Sequence, residues 1–232
     1  MKKPLLFSVV LILVGLTLTQ VFLPSYVAGR IEEAFLAAYP DTHLVQVEIE
    51  AFPALRLFGG GVDRFRFDAR GFTYNGLNIE AFLVDGDQLQ IPIMSLLRGQ
   101  EFLFQSLGNL RATVLLKEEA LNQYLWTKID PIQLIEIQLE RDAARLLGEV
   151  ELLGRKFNLS LAGGFHVAPE NKLVFVPDAL TVEELQVPRL VVDAVADNLD
   201  LTIDFSRLPF TLTLESVRLE EGSLYIFARD RD

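Results

Sequence analysis

The sequence of 232 residues contains no cysteine. Disulfide bridges, thiolate metal sites and thiol nucleophiles are therefore excluded. Histidine is also scarce, because only His43 and His166 occur and they lack the spacing of metal ligands. No Gly-x-Ser-x-Gly elbow, His-Glu-x-x-His motif or phosphate-binding loop ending in Lys-Ser/Thr is present. The sequence thus predicts a protein without catalytic residues, without a metal site and without a cofactor.

Positive charge is in short supply as well. The chain has 21 Lys and Arg against 32 Asp and Glu, which gives a formal net charge of −11 at pH 7. Nucleic-acid binding depends on neutralising phosphates with Lys and Arg, and docking onto anionic lipid uses basic clusters. We therefore expect no nucleic-acid partner and no attachment through a basic patch.

One long stretch has no charge at all. Residues 4–29 lack Asp, Glu, Lys and Arg, and residues 5–23 are mostly Leu, Val, Ile and Phe. A helix needs about 20 apolar residues to cross the hydrocarbon core of a bilayer. Lys2 and Lys3 precede the stretch, and cationic flanks remain on the cytoplasmic side. These features predict a single-pass segment whose N-terminus is cytoplasmic.

The corresponding domain division places the membrane anchor in residues 1–24, with residues 4–23 in the membrane. Residues 25–232 then form one extracytoplasmic domain, since no linker rich in Pro, Gly or Ser divides them. The alternative is a secretory signal peptide that is cleaved near Gly29, where small residues cluster. The apolar run is longer than the usual core of such a signal, which favours a retained anchor.

Helical periodicity recurs three times after the anchor. A stripe of Val27, Ile31 and Phe35 predicts a helix over residues 25–39, ended by Pro40 and separated from the anchor by Pro24. Two further helices are predicted over residues 117–128 and from Pro188 onward.

Alternation of apolar and polar residues predicts strands between these helices. Turn residues separate them: Asp85-Gly86, Pro169-Glu170-Asn171 and Glu221-Gly222, with Gly59-Gly60-Gly61 as a turn or bulge. Gly163-Gly164 interrupts one strand where a side chain would crowd a curved sheet. The predicted strands include residues 45–49, 64–68, 77–83, 89–93, 135–139, 146–152, 157–167, 210–214 and 224–226. Long strands with a few helices indicate an α+β fold.

Several stretches, in this order, resemble the LmeA-like phospholipid-binding family of bacterial envelope proteins. They are VEIEAFPALRLFGGG (residues 47–61) with DRFRFDA (63–69), then GLNIEAFLV (76–84), LKEEALNQYL (116–125) and LPFTLTLESVRLEEGSL (208–224). Lys117 departs from the pattern, since Ser, Thr or Asp is the usual residue before a helix.

The resemblance implies an architecture similar to tubular lipid-binding proteins. A membrane-spanning helix would precede a long, curved, mostly antiparallel sheet that wraps amphipathic helices around an apolar groove. It also implies binding or carriage of phospholipid, or a similar amphiphile, without catalysis.

Composition alone favours a dry core, whereas the resemblance favours a lipid groove. Half of the residues are hydrophobic and 17 are Phe, so one face of a large sheet has many apolar side chains to cover. Either lipid covers part of that face, or the two halves of the chain pack into a dry core and form an accessory module that recruits envelope enzymes. The residues expected to line a groove are Leu121, Leu125, Ile135, Ile137, Leu146, Val150, Phe157, Leu159, Leu161, Leu190, Val191, Ala194 and Val195.

Overall fold

The computed structural model describes residues 2–90, 107–128, 130, 133–152, 155–183, 185–188, 201–208 and 212–230. Two helices lie in these ranges, α1 (Lys2–Ala38) and α2 (Glu118–Lys128). The strands are β1 (Leu44–Glu50), β2 (Gly61–Tyr74), β3 (Leu77–Gln90), β4 (Leu107–Lys117), β5 (Ile135–Glu140), β6 (Ala143–Leu152), β7 (Arg155–Ala168), β8 (Lys172–Val182), β9 (Leu185–Gln186), β10 (Thr202–Asp204), β11 (Leu212–Glu220) and β12 (Ser223–Asp230). Short 3-10 helices occupy Ala54–Gly59 and Pro169–Asn171.

The strands form two antiparallel sheets. The first sheet has the order β1-β2-β3-β4-β12-β11, and the second has the order β10-β8-β7-β6-β5 with β9 paired to β8. Every strand pair in the described part of the chain is antiparallel. The predicted sheet-rich α+β fold is confirmed at this level. The expectation of one long sheet is not met, because the described strands divide between two.

Helix α1 packs against the first sheet through the predicted stripe. Val27, Ile31 and Phe35 are buried. The Phe35 ring lies 5.0 Å from the Phe67 ring and 5.2 Å from the Phe72 ring, with steep interplanar angles. Such edge-to-face contacts add to the free energy gained by burying the rings. This end of α1 is therefore part of the folded domain.

The two helical segments predicted on either side of Pro24 form one helix that ends at Ala38. Among the residues that the structure describes, no helix has both the length and the apolar character needed to cross a membrane. The predicted membrane-spanning helix is therefore not confirmed.

The turn predicted at Asp85-Gly86 is wrong, because β3 continues through it. The Asp85 carboxylate accepts a hydrogen bond from Arg66 on β2 at 3.2 Å. Gly86 is buried, and a Cβ atom there would lie 2.8 Å from the Leu110 side chain on β4. Asp85 thus forms an ion pair with Arg66 on one face of the sheet, and Gly86 allows close packing on the other face. The turns at residues 169–171 and 221–222 and near Gly60 are confirmed.

The predicted helix over residues 117–128 is confirmed as α2, with one residue of difference. Lys117 ends β4 and donates a hydrogen bond to the Ser223 hydroxyl at 3.0 Å. The Glu118 backbone N–H donates to the Gly222 carbonyl at 3.2 Å. Because the β11–β12 turn satisfies this N–H, the helix begins without a side-chain cap at Lys117.

Side chains of α2 bond to the edge of the second sheet. Asn122 is buried, its amide donates to the backbone carbonyl of Ile137, and its oxygen accepts from the Ile137 N–H. Glu118 and Trp126, one turn away on either side, also bond to the backbone of β5. From the start of α2 to its end, Glu118 bonds to Leu139, Asn122 to Ile137 and Trp126 to Ile135. Helix α2 thus replaces a neighbouring strand along β5.

A second asparagine, Asn171, makes the same kind of contact with an edge strand of the first sheet. Asn171, in the turn between β7 and β8, donates to the Leu212 carbonyl at 2.6 Å and accepts from the Leu214 N–H at 3.0 Å. Both backbone groups belong to the edge strand β11. The second sheet is therefore joined to the first by a buried side-chain amide.

We predict that Asn122→Ala lowers the free energy of unfolding by about 1–3 kcal/mol, because it leaves buried backbone groups of Ile137 without partners. Gln123→Ala is the matched control, since Gln123 is the next residue of α2 and is exposed. Urea unfolding of the two variants measures the difference. Equal stability of the two would show that the amide contact does not hold α2 on β5.

Candidate functional site

The predicted groove residues of the second sheet lie in consecutive rows. Cross-strand pairing puts Ile137, Leu146, Leu161 and Leu180 side by side across β5, β6, β7 and β8. We call these four residues the closed row. The next residues of the same parity are Ile135, Gly148, Leu159 and Val182, which we call the open row. Val150 and Phe157 form a further pair beyond it.

Burial decreases from one row to the next. Every residue of the closed row is buried, with relative exposures between 1% and 8%. Every residue of the open row is only partly buried, and so is Phe157. Every second residue of a strand lies on the same face of the sheet, so the decrease in burial occurs along a single apolar surface. The surface is packed at one end and accessible at the other.

The neighbourhood of the open row is also apolar and exposed. Leu134, directly before β5, is 55% exposed, and Leu185, next to Val182 in the sheet, is 73% exposed. Gly148 has no side chain, so the floor between Ile135 and Leu159 is lowered. The open row is thus a partly exposed apolar surface with a gap between its side chains at Gly148, which we call the depression, and the exposed Leu185 lies beside it on the same face.

Polar groups at the rim of the depression are hydrogen-bonded to the backbone. The Trp126 indole donates to the Ile135 carbonyl at 2.7 Å, and the Asp130 carboxylate accepts from the Ile135 N–H at 2.6 Å. On the other side, the Glu183 carboxylate accepts from the Asn158 N–H at 2.8 Å. These groups fix the ends of β5, β7 and β8 and leave the apolar floor without a charge.

The other predicted groove residues do not meet at the open row. Leu121 and Leu125 of α2 are fully buried in the core shared by the two sheets, away from the exposed part of the face, and their role in a groove stays a prediction. Leu190, Val191, Ala194 and Val195 lie outside the described residues, as do Ile91, Ile93 and Phe210 of the predicted strands.

A cavity of about 400 Å³ was not predicted. Tyr74, Asn75, Tyr124, Lys128 and Asp204 contribute to its lining. The Tyr74 hydroxyl accepts a hydrogen bond from the Arg207 N–H at 3.0 Å, and burial raises the pKa of Tyr74 to about 12. No sequence pattern indicates this cavity, because its residues come from distant parts of the chain. Leu77 and Ile203 also line it, and this mixed polar and apolar lining suits an acyl chain less well than the open row does.

The two histidines are exposed, His43 directly before β1 of the first sheet and His166 on β7, seven residues from Leu159. His43 lies beside Gly71, and His166 points away from the apolar face of β7. Within the described ranges, no group of three or more His, Asp or Glu residues is arranged to hold a metal ion.

Fold and site together define a sheet-rich α+β protein in which one apolar sheet face is left partly uncovered. A family model described as LmeA-like phospholipid-binding matches residues 18–228, nearly the whole chain. The chain belongs to this family. No curated protein and no solved structure matches it.

We predict that Gly163→Ala, on the packed part of the face, lowers the free energy of unfolding by about 1–3 kcal/mol through overpacking. A Cβ atom at Gly163 would lie 2.3 Å from the Val176 carbonyl oxygen and 2.8 Å from the Phe175 ring. The crowding predicted at Gly164 is not found, since a Cβ there has only an ordinary contact, 3.5 Å from His166.

Gly164→Ala is therefore the matched control, and we expect it to change stability by less than about 0.5 kcal/mol. Urea unfolding of both variants checks the pair. A Gly163→Ala variant as stable as Gly164→Ala would contradict the close packing at this end of β7.

Proposed function

We propose that the protein binds phospholipid or a similar amphiphile by laying acyl chains on the open row of the second sheet. The loss of burial between the closed row and the open row is the observation that carries this proposal. Membership of a phospholipid-binding family supports it. An acyl chain gains about 0.8 kcal/mol for each CH₂ group that it buries, so a few contacts on this floor give useful affinity.

The proposed role is carriage or holding of lipid without chemical change. The groups around the open row are backbone-bonded, as described for Trp126, Asp130 and Glu183, and none is placed as a nucleophile beside a base. Lipid recovered from the protein should therefore have the same composition before and after incubation. A new product detected by mass spectrometry would overturn the non-catalytic role.

A second candidate is an accessory module with a dry core that recruits envelope enzymes. It is favoured by the continuous core, in which buried residues of both sheets form one cluster. It is also favoured by exposed apolar side chains away from the open row, such as Phe22 and Phe52. In this case the open row would hold no lipid, so the two candidates are separable.

We predict that Leu159→Trp removes most of the co-purifying lipid and changes the melting temperature little, because the new ring enters an accessible depression. Leu161→Trp is the matched variant, two residues along the same strand. It lies in the closed row, so overpacking should cost about 1–3 kcal/mol. For a domain of this size each kcal/mol corresponds to about 2–4 °C in melting temperature.

Lipid is measured by mass spectrometry of organic extracts of the purified full-length chain, and stability by thermal melting of the same samples. Lipid loss in Leu159→Trp with melting nearly unchanged supports the groove. Absence of lipid from the unmodified protein, with equal destabilisation by both variants, would favour the accessory module.

We further propose that the N-terminal half of α1 attaches the domain to a membrane as a single-pass anchor, with the domain outside the cytoplasm. Leu11, Leu13, Leu16 and Leu18 of this half are 47–63% exposed, which is unfavourable in water. The hydroxyls of Thr17 and Thr19 bond to helix carbonyls four residues earlier, as required in lipid. Lys2 and Lys3 favour a cytoplasmic N-terminus.

Retention of the anchor is the more consistent of the two predicted outcomes. Val27 and Ala28 are buried against the domain, and α1 continues through Gly29 without a break. Cleavage near Gly29 would separate these packed residues from the domain. The signal-peptide alternative would also remove Gln20, which bonds to the backbone after β1.

We predict that a reporter active only outside the cytoplasm, fused after Asp232, is active. The mass of the mature protein should correspond to a chain that retains residues 4–29. An inactive reporter would overturn the extracytoplasmic location. A chain that begins near Arg30 would instead contradict the retained anchor and leave the location standing.

A further inference from the structure

A loop next to α1 has three exposed apolar side chains. It comprises residues 52–58, between β1 and β2, and we call it the 52–58 loop. Phe52 is 76% exposed, Leu55 is 46% exposed and Phe58 is 55% exposed. Ala54 and Leu57 of the same loop are buried and hold it on the domain. The three large side chains are therefore held in an exposed position by a packed base.

The loop is bonded directly to α1 at the place where the exposed apolar half of the helix begins. The Gln20 side-chain amide donates to the Ala51 carbonyl at 2.7 Å, and its oxygen accepts from the Ala54 N–H at 2.8 Å. Both polar groups of Gln20, the most polar side chain in residues 4–29, are thus hydrogen-bonded to the loop and to the residue directly before it. The cleft between loop and helix, about 310 Å³, is lined by Leu16, Gln20 and residues 52–55, among others.

Charge at the loop is compensated locally. Arg56 is its charged residue, and the guanidinium contacts the Asp63 carboxylate at 2.5 Å. The other oxygen of Asp63 accepts from the Phe52 N–H at 2.6 Å. The facing helix has no charge in residues 4–29. The loop and the helix therefore present one continuous apolar surface without net charge.

We infer that the 52–58 loop inserts into the interfacial layer of the lipid bilayer beside α1. Insertion of the loop rests on the membrane attachment proposed above, and it adds a second contact that orients the domain. The occupant is a bilayer because the loop continues the surface of an uncharged apolar helix. The transfer of aromatic rings such as those of Phe52 and Phe58 from water into such an environment is favourable.

The absence of cysteine allows a depth measurement with single labels on the full-length chain. Phe52→Cys and Phe58→Cys test the loop, Leu13→Cys reports the helix, and Val176→Cys, an exposed position on β8, is the control. Each is labelled with a fluorophore sensitive to polarity and reconstituted into vesicles of phosphatidylcholine and phosphatidylglycerol. Quenching by phosphatidylcholine brominated on its acyl chains reports contact with lipid.

We expect strong quenching and a blue-shifted emission at Leu13, Phe52 and Phe58, and neither effect at Val176. Quenching at Leu13 alone would overturn the loop insertion and leave the membrane attachment standing. Quenching at none of the four positions would overturn the attachment and the insertion together. Equal quenching at all four would also overturn the insertion, since the labels would then report their own affinity for lipid. Lipid carriage by the open row is tested separately by Leu159→Trp.

Discussion

The arrangement of the two sheets depends on two buried asparagine side chains that close strand edges. An uncharged amide has both a donor and an acceptor, so it can pair with the N–H and C=O of a strand as another peptide group would. Asn122 does this on β5 and Asn171 does it on β11. Buried backbone groups without partners are costly, so an apolar residue at either position would require the edge to open to water.

The position of the candidate site follows from this edge contact. Because Asn122 fixes α2 along β5, Leu121 and Leu125 are directed into the core that contains the closed row. The last contact of α2 with the edge is made by Trp126 at Ile135, and the helix ends at Lys128. The open row begins at Ile135. Loss of burial therefore coincides with the end of the helix that covers this side of the core.

The sequence was sufficient for the local elements, because alternation and helical stripes are local properties. It identified the inward parity of Ile137, Leu146 and Leu161, since parity is fixed within each strand. It did not separate the closed row from the open row, because burial depends on elements distant in the chain. The prediction of a turn at Asp85-Gly86 was wrong for the same reason. Contacts with Arg66 on β2 and Leu110 on β4 keep these two residues within strand β3.

The division of strands into two sheets also lies beyond local patterns. Asn171 and its partner Leu214 are 43 residues apart, and no periodicity connects them. The stretches that resemble the phospholipid-binding family nevertheless fall on β1 to β4, α2 and the β11–β12 hairpin. The family could therefore be recognised from the sequence of these elements, although the way they pack against one another could not be predicted from it.

If lipid binds as proposed, the register in the second sheet has a consequence for selectivity. Rows of one parity are two residues apart, or about 7 Å along the strand. A hydrocarbon tail lying along β7 would meet Phe157, then Leu159, and would stop at the packed Leu161. A change in side-chain size in one row would move the point where the tail stops by the spacing between two rows. Tail length could thus be selected independently of headgroup chemistry, through the size of a single side chain.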